Sequence, residues 1–125
     1  MNGSSGKRLF GLRGAACAQN TKDAIAEAVI DMCGTLFKIN NLSVRDIVSI
    51  HFTMTSDLDA LNPATALRQS ELAVSSCALF CSQEVQIVNM LPKTIRVLVT
   101  AYMDHDATAR HVYVRGAETL RPDIV

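Results

Sequence analysis

Three arginines and one glutamate occupy positions from which they could act on a ligand. Arg96 lies in the middle of an apolar segment, while Arg13 directly precedes a glycine and Arg121 a proline. An arginine in apolar surroundings is costly to bury unless it meets an anion, so Arg96 is the strongest candidate for an anion-binding cation. Glu84 follows shortly after another apolar segment. The alternative interpretation is an edge-facing or salt-bridged arginine for Arg96 and a solvated carboxylate for Glu84.

Two pairs of residues could form a nucleophile and its general base: Cys81 with His111, and Ser82 with His51. Neither pair lies in a recognisable local signature for nucleophilic catalysis. The chain also lacks a Walker-type phosphate loop and the glycine motif of dinucleotide-binding proteins. With three histidines, no C-x2-C pair and only a C-x3-C spacing from Cys77 to Cys81, a zinc site is not expected. The sequence therefore predicts no metal ion and no cofactor.

The elements that must hold these side chains begin with a strand and a long helix. Residues 7–13 have the length and apolar content of a strand that Gly14 closes. Polar residues 19–21 offer N-caps for a helix of about five turns, which Asn40 and Asn41 end. Its apolar stripe is formed by Ile25, Val29, Met32, Leu36 and Ile39.

Alternating apolar and polar residues predict two further strands, at residues 48–55 and 94–103. Their inward faces are predicted to be Val48, Ile50, Phe52 and Met54 in the first, and Ile95, Val97, Val99 and Ala101 in the second. The remaining elements are a helical turn at 43–46, a short helix from Pro63 to about Gln69, and strands at 76–81 and 111–114. This order predicts an α/β or α+β fold, a mixed five-stranded sheet with one long helix and a short helix. Three copies closed against one another would cover the other face of such a sheet, so a cyclic trimer is expected.

Length and composition limit the class of protein. The chain has 125 residues, with twelve Lys and Arg balancing twelve Asp and Glu. This length fits one domain, predicted over residues 7–125, while residues 1–6 are interpreted as a flexible tail or an expression remnant. Because 49% of the residues are hydrophobic and only 19% are charged, surplus apolar surface favours an oligomer.

Charge and cysteine usage argue against several partners. A net charge of zero without a run of Lys or Arg argues against a protein that binds nucleic acid or an anionic membrane surface. No segment approaches the ~20 apolar residues of a membrane helix, and the N-terminus lacks the apolar core of a signal peptide. The four cysteines, in a chain with a plausible core, are interpreted as reduced thiols of a cytoplasmic protein.

Six short motifs follow one another along the chain. They are Leu12-Arg13-Gly14-Ala15, the loop 56–60 with Pro63 and Arg68, Cys81-Ser82-Gln83-Glu84, Ile95-Arg96-Val97, Arg110-His111-Val112-Tyr113 and Leu120-Arg121-Pro122-Asp123. Together, and in this order, the motifs resemble the trimeric bacterial class of monofunctional chorismate mutases. The resemblance covers about residues 8–125.

The resemblance implies a homotrimer that forms a pseudo-α/β-barrel, with three active sites at the subunit interfaces. It also implies the rearrangement of chorismate to prephenate in phenylalanine and tyrosine biosynthesis, without a cofactor or a covalent intermediate. Arg96 and Glu84 would be the catalytic residues. The substrate-binding residues would be Arg13, Tyr113, Leu120, Cys81 beside the ring hydroxyl, and Arg68 and Arg121 at a mobile rim.

Three positions depart from the pattern of that class. Asn62 stands where an aromatic residue is familiar, Thr65 where a lysine is familiar, and Phe80 where a small polar residue is familiar. The first two remove a wall and a cation from the rim. They therefore bear on substrate affinity more than on chemistry.

Two other functions stay open at this point. An imine/enamine deaminase of the related trimeric fold has similar length and element order, with a comparable segment at 44–61. Residues 81–84 and 120–123, however, do not resemble that family, and a site is a safer guide than a fold. The second is a non-catalytic trimeric binder of aromatic-pathway acids, which the three departures favour.

Overall fold

The computed structural model describes residues 6–72, 74 and 76–123, so the tail predicted over residues 1–6 lies, apart from Gly6, outside the described residues. In chain order the elements are β1 (Lys7–Cys17), α1 (Lys22–Ile39), β2 (Ile47–Met54), α2 (Pro63–Arg68), β3 (Ala78–Gln83), β4 (Thr94–Asp104) and β5 (Val112–Val114), with 3-10 turns at Val44–Asp46 and Ala117–Leu120. The predicted mixed five-stranded sheet with one long and one short helix is confirmed. The turn at Ala117–Leu120 was not predicted.

The sheet has the strand order β3-β2-β4-β1-β5. β4 pairs antiparallel with both β1 and β2, whereas the edge strands β3 and β5 pair parallel with β2 and β1. In the β1–β4 ladder, Arg13 lies opposite Leu98 and Ala15 lies opposite Arg96. Alternate residues of these two long strands therefore share one face of the sheet.

The helix α1 begins as predicted. Thr21 Oγ1 accepts a hydrogen bond from the backbone N–H of Ala24 at 3.1 Å, which satisfies one free amide of the first turn. The stripe residues Ile25, Val29, Met32 and Leu36 are fully buried. Ile39, the last helical residue, is 40% exposed, so the stripe stops one turn earlier than predicted. Neither α1 nor any other helix among the described residues is long and apolar enough to cross a membrane.

The strand β1 does not end at Gly14, as predicted, but continues to Cys17. Gly14 is buried beneath the helix, and a Cβ built on it would lie 2.9 Å from Val97 Cγ1 and 3.1 Å from Met32 Cγ. The glycine therefore permits close packing of helix on strand and does not make a turn.

An irregularity in β2 changes one predicted face. The register with β4 shifts between Ile47 and Ser49, as at a β-bulge. Ile47 is buried and Val48 is 46% exposed, so the prediction that Val48 joins the core is wrong. Beyond the bulge Ile50 and Phe52 are fully buried, and the alternation follows the prediction.

The two faces of the sheet differ in their cover. Inward residues of β4, namely Ile95, Val97, Val99 and Ala101, join both helices in one core cluster, as predicted. The opposite face, here called the open face, carries Leu9, Phe80, Leu98 and Tyr102, each at least 43% exposed. Large apolar side chains gathered on one face usually mark an interaction surface.

Replacing Gly14 by alanine is expected to destabilise the fold. The added methyl group would meet Val97, a buried β-branched side chain with little freedom to move, so we expect the free energy of unfolding to fall by about 1–3 kcal/mol. The control is Gly34→Ala in α1, where a Cβ meets no atom within 4 Å. That change should raise the free energy of unfolding by roughly 0.5–1 kcal/mol. Urea denaturation measures both changes, and equal stability of the two variants would contradict the packing role of Gly14.

Candidate active site

A cavity of about 430 Å³, here called the arginine cavity, opens on the open face of the sheet. Five of the predicted site residues line it: Arg13, Arg96, Tyr113, Leu120 and Arg121. Three of these carry guanidinium groups, so the cavity is cationic although the chain has no net charge. Small-molecule sites usually measure about 300–1,000 Å³. The arrangement suits a small ligand with more than one negative charge.

Strand pairing explains why these side chains meet. Arg96 on β4 lies opposite Ala15 on β1, and Tyr113 on β5 also pairs with Ala15. Arg13 is two residues before Ala15 and therefore shares its face of the sheet. Ala15 is fully buried and packs with Tyr113. Its small side chain leaves space between the two arginines.

A carboxylate holds Arg96 at the edge of the arginine cavity. Arg96 Nε lies 3.0 Å from Glu84 Oε2, and the Glu84 side chain is only 13% exposed. The same oxygen accepts a hydrogen bond from Thr53 Oγ1 at 2.8 Å. Thr53 lies opposite Arg96 in the β2–β4 ladder, so the carboxylate is fixed by groups on neighbouring strands. The Arg96 side chain remains 45% exposed and can meet a ligand.

Arg121 and Leu120 form the C-terminal part of the cavity wall. Asp123 accepts hydrogen bonds from Arg121 Nε at 3.1 Å and from Nη2 at 2.9 Å. Hydrogen bonding by Arg121 holds the pKa of the Asp123 carboxyl below its usual range. The Arg121 guanidinium is thus paired within its own segment while it lines the cavity.

Three predicted site residues do not line the arginine cavity of their own chain: Glu84, which contacts Arg96 beside it, and Cys81 and Arg68, which lie elsewhere. Cys81 is opposite Phe52 in the β2–β3 ladder and packs against the core cluster. Burial raises the pKa of its thiol. Together with Asn62 it lines a second cavity of about 220 Å³, here called the Cys81 cavity. Arg68 is exposed at the end of α2.

Two of the positions that depart from the resemblance contribute to α2. Asn62 is the N-cap of this helix, and its Oδ1 accepts a hydrogen bond from the backbone N–H of Ala64 at 2.8 Å. Thr65 Oγ1 accepts one from Arg68 Nη2 at 3.4 Å. Asn62 therefore has a capping role that an aromatic residue could not fill.

One of the two possible nucleophile–base pairs is brought together. His51 Nε2 and Ser82 Oγ are 3.0 Å apart. Cys81 and His111 lie toward opposite edges of the sheet, because β3 and β5 are its edge strands. His111 Nδ1 instead accepts a hydrogen bond from the backbone N–H of Arg13 at 3.0 Å. Within the described part of the chain, no three His, Cys, Asp or Glu side chains are grouped so that they could hold a metal ion.

Sequence reasoning did not predict the contacts of Thr53 with Glu84 or of His111 with Arg13. Both contacts depend on how segments distant in sequence pair with one another. The only feature of the sequence that could have indicated these contacts was a polar residue on a strand or at its end. Such residues are too common to single out one position.

Comparison with known proteins gives consistent matches. A family model described as chorismate mutase type I matches residues 9–124. Chorismate mutase AroH from Thermus thermophilus is 34% identical over 117 residues, covering 91% of this chain and 94% of the relative. Chorismate mutase AroH from Bacillus subtilis (strain 168) is 30% identical over 118 residues, covering 93% and 92%. A solved chorismate mutase from Clostridium thermocellum superposes with a TM-score of 0.80 at 35% identity, covering 88% of this chain and 98% of that chain.

These matches agree with the resemblance carried by the six motifs, and they cover nearly the same part of the chain. The structural match shows that this chain shares its fold with that chorismate mutase. The chain belongs to the chorismate mutase type I family.

Proposed function

We propose that the chain catalyses the rearrangement of chorismate to prephenate, a step of phenylalanine and tyrosine biosynthesis. Membership of the family supports this reaction. The arginine cavity is the observation that indicates where on the chain the reaction takes place. Arg13, Arg96 and Arg121 surround a space of about 430 Å³. Chorismate is a small dianion, and fixed guanidinium groups are well suited to bind its carboxylates.

The reaction is a unimolecular pericyclic rearrangement. A carbon–carbon bond forms while the ether carbon–oxygen bond breaks, and no proton or group leaves the molecule. In the transition state, negative charge grows on the ether oxygen and positive charge grows on the ring. The enzyme therefore has two tasks: to hold the substrate in a compact conformation, and to meet the developing charges with fixed charges of opposite sign.

Arg96 and Glu84 suit the second task. Arg96 is permanently cationic and would stand at the ether oxygen, where negative charge appears only as the bond breaks. Glu84 would accept a hydrogen bond from the ring hydroxyl and oppose the positive charge on the ring. Their contact at 3.0 Å, and the bond from Thr53 at 2.8 Å, orient both charges before the substrate binds. Little reorganisation is then needed during the reaction.

Arg13 and Tyr113 suit the first task, because a guanidinium and a phenol can both donate hydrogen bonds to one carboxylate. Leu120 would supply an apolar wall. Arg121 would exchange its bonds with Asp123 for a carboxylate of the substrate, since both partners offer two oxygens to the same guanidinium.

We also propose that the active protein is a homotrimer that forms a pseudo-α/β-barrel, with each site shared between subunits. The exposed apolar side chains of the open face support an interface there. Cys81 and Arg68 lie outside the arginine cavity of their own chain, which supports a shared site. In the trimer these two residues would complete the cavity of a neighbouring subunit, with the thiol near the ring hydroxyl and Arg68 at the mobile rim.

Residues 7–125 are proposed to form one domain of a cytoplasmic enzyme. One main core cluster extends from Phe10 in β1 to Val112 in β5, which supports a single domain. The four cysteines are free thiols, as is usual in the cytoplasm.

The imine/enamine deaminase and the non-catalytic binder are not favoured. The family matched over residues 9–124 is that of chorismate mutase. Arg96 and Glu84 are both present and in contact, so the chain has the charges that the rearrangement uses.

Replacing Arg96 by alanine should lower kcat by roughly a thousandfold, with a much smaller change in KM. The reason is that its charge acts mainly on the ether oxygen of the transition state. The loss of chorismate absorbance measures the rate directly. Arg45→Ala, which removes an exposed arginine from the turn Val44–Asp46, is the control and should keep normal rates. Equal activity of wild type and Arg96→Ala would disprove the assignment.

Removing the hydroxyl of Thr53 should lower kcat about tenfold, because the Glu84 carboxylate loses a hydrogen bond that orients it. Thr53→Val keeps the shape of the side chain without its hydroxyl, whereas Thr53→Ser keeps the hydroxyl. Steady-state kinetics should therefore place Thr53→Ser close to wild type. If both variants behaved alike, the hydroxyl would not be the group that matters.

Mixing two homotrimers of impaired activity tests the shared site. When Arg13→Ala and Arg68→Ala proteins exchange subunits, about a quarter of the sites should combine an intact cavity with an intact rim and recover activity. The control mixture is Arg13→Ala with Arg96→Ala, whose changes lie in the same cavity and should not complement. Mass spectrometry verifies that subunits have exchanged. If activity then recovers in the control mixture alone, or in neither mixture, the proposal that each site combines residues of two subunits is refuted.

A further inference from the structure

His111 makes a contact that links the arginine cavity to the edge of the sheet. Its Nδ1 lies 3.0 Å from the backbone nitrogen of Arg13. A backbone N–H can only donate, so Nδ1 carries a lone pair and the proton of the neutral ring is on Nε2. The imidazolium has N–H groups on both ring nitrogens and cannot accept this bond. The contact therefore requires the neutral ring.

The imidazole of His111 accepts a hydrogen bond that a backbone carbonyl would accept in a regular pair of strands. The parallel pairing of β1 with β5 covers only residues that follow Arg13. Further along this seam the N–H of Cys17 donates to the carbonyl of Arg115 at 3.2 Å. Arg13 and Cys17 are four residues apart in one strand, so their amides point to the same side of β1. The ring of His111 thus supplies the acceptor that a longer β5 would have supplied.

The residue before His111 is anchored independently. Asn40, at the C-terminal cap of α1, donates from Nδ2 to the carbonyl of Arg110 at 2.8 Å and accepts from its N–H at 2.9 Å. Asn40 is buried, so this link lies within the protein. Tyr113 follows two residues after His111 and lines the cavity. The ring therefore extends from a fixed backbone, and Arg13 is the group that it holds.

The surroundings of the ring favour its neutral form. Two guanidinium groups act on it electrostatically, Arg13 from β1 and Arg121 from the segment after β5. Asn40 at the end of α1, which binds the neighbouring Arg110 backbone, is uncharged. Burial, and then the positive charges of Arg13 and Arg121, lower the pKa of His111 below its ordinary value. At neutral pH the ring is therefore able to accept the hydrogen bond.

We propose that His111 is a positioning residue, which holds the Arg13 amide through Nδ1 and so sets where the Arg13 guanidinium stands in the arginine cavity. The inference rests on the chorismate mutase function proposed above, in which Arg13 binds a carboxylate of the substrate. That carboxylate is present in the ground state and in the transition state alike. His111 therefore acts on substrate binding more than on the rate of the bound complex.

The first test compares His111→Asn with His111→Ala. The asparagine oxygen stands near the position of Nδ1 and can accept the Arg13 amide, whereas alanine leaves the amide without its acceptor. We expect KM for chorismate to rise about tenfold in His111→Ala with kcat nearly unchanged, and to stay within about threefold of wild type in His111→Asn. Similar increases of KM in both variants, or an unchanged KM in His111→Ala, would overturn the proposal.

A double variant separates positioning from a direct contact of the ring with substrate. Arg13→Ala removes the guanidinium but keeps the backbone amide, so a further His111→Ala change should alter KM by less than about twofold. If the two substitutions instead raised KM independently, His111 would act by a route other than Arg13 and the proposal would be wrong.

The dependence of kcat/KM on acid pH is a second test. A variant that was merely less stable would not reproduce the expected dependence. Because its pKa is lowered, His111 should become protonated only at pH values below the ordinary histidine pKa of about 6.5. In that acid range kcat/KM of wild type should decline, and His111→Asn should lack this decline because its amide does not titrate. The same decline in both proteins contradicts the proposal. So does a rise on acidification, which would mean that the imidazolium attracts the dianion.

Nitrogen NMR of the imidazole in the substrate-free wild type separates this inference from the proposed function. A proton on Nε2 with Nδ1 unprotonated is expected at neutral pH, whether or not the protein turns over chorismate. A proton on Nδ1 would overturn the positioning role, even in an active enzyme. Absence of chorismate turnover in wild type would refute the function, and with it the assigned consequence for KM.

Discussion

Arg96 places a permanent positive charge in the middle of a central strand, and the carboxylate of Glu84 fixes the orientation of that charge. The contact of 3.0 Å joins β4 to the residue that follows β3, while Thr53 from the intervening β2 donates to the same oxygen. Three adjacent strands thus meet at one carboxylate. The charges are oriented by the sheet itself, which is why strand order and register matter for the chemistry as much as for the fold.

Side chains alternate along each strand, so the residues that stabilise the core and the residues that line the cavity lie on opposite faces of the sheet. On β4, Val97 is buried against the helix-covered core, whereas Arg96 and its neighbour Leu98 face the cavity. Gly14 shows the same division on β1, because the absence of a side chain lets α1 pack closely while Arg13 stays on the open face. The inner face is under the constraints of close packing. The outer face is free to carry charge.

Charged and apolar side chains share the open face, so the proposed binding site and the proposed interface between subunits adjoin each other. The chain has no net charge, so attraction of a dianion must come from the few cations gathered in the arginine cavity. Beside them stand exposed apolar residues such as Leu98 and Phe80. Covering these residues with further copies of the chain would also exclude water from the cations, which strengthens their interaction with a bound anion.

Local patterns were sufficient for the type and order of the main helices and strands and for the candidate residues. The apolar stripe of α1, the alternation in β4 and the motif around Arg96 are properties of short segments, so the sequence alone predicted the sheet, the helices and the cationic set. Packing between distant segments was needed for the rest. That Val48 turns outward, that His111 meets Arg13, and that Cys81 stands apart from the arginine cavity all follow from register and strand order. A shift of one residue in pairing reverses the face of every side chain in a strand. The pattern within one strand does not show which residues of a distant strand lie opposite it.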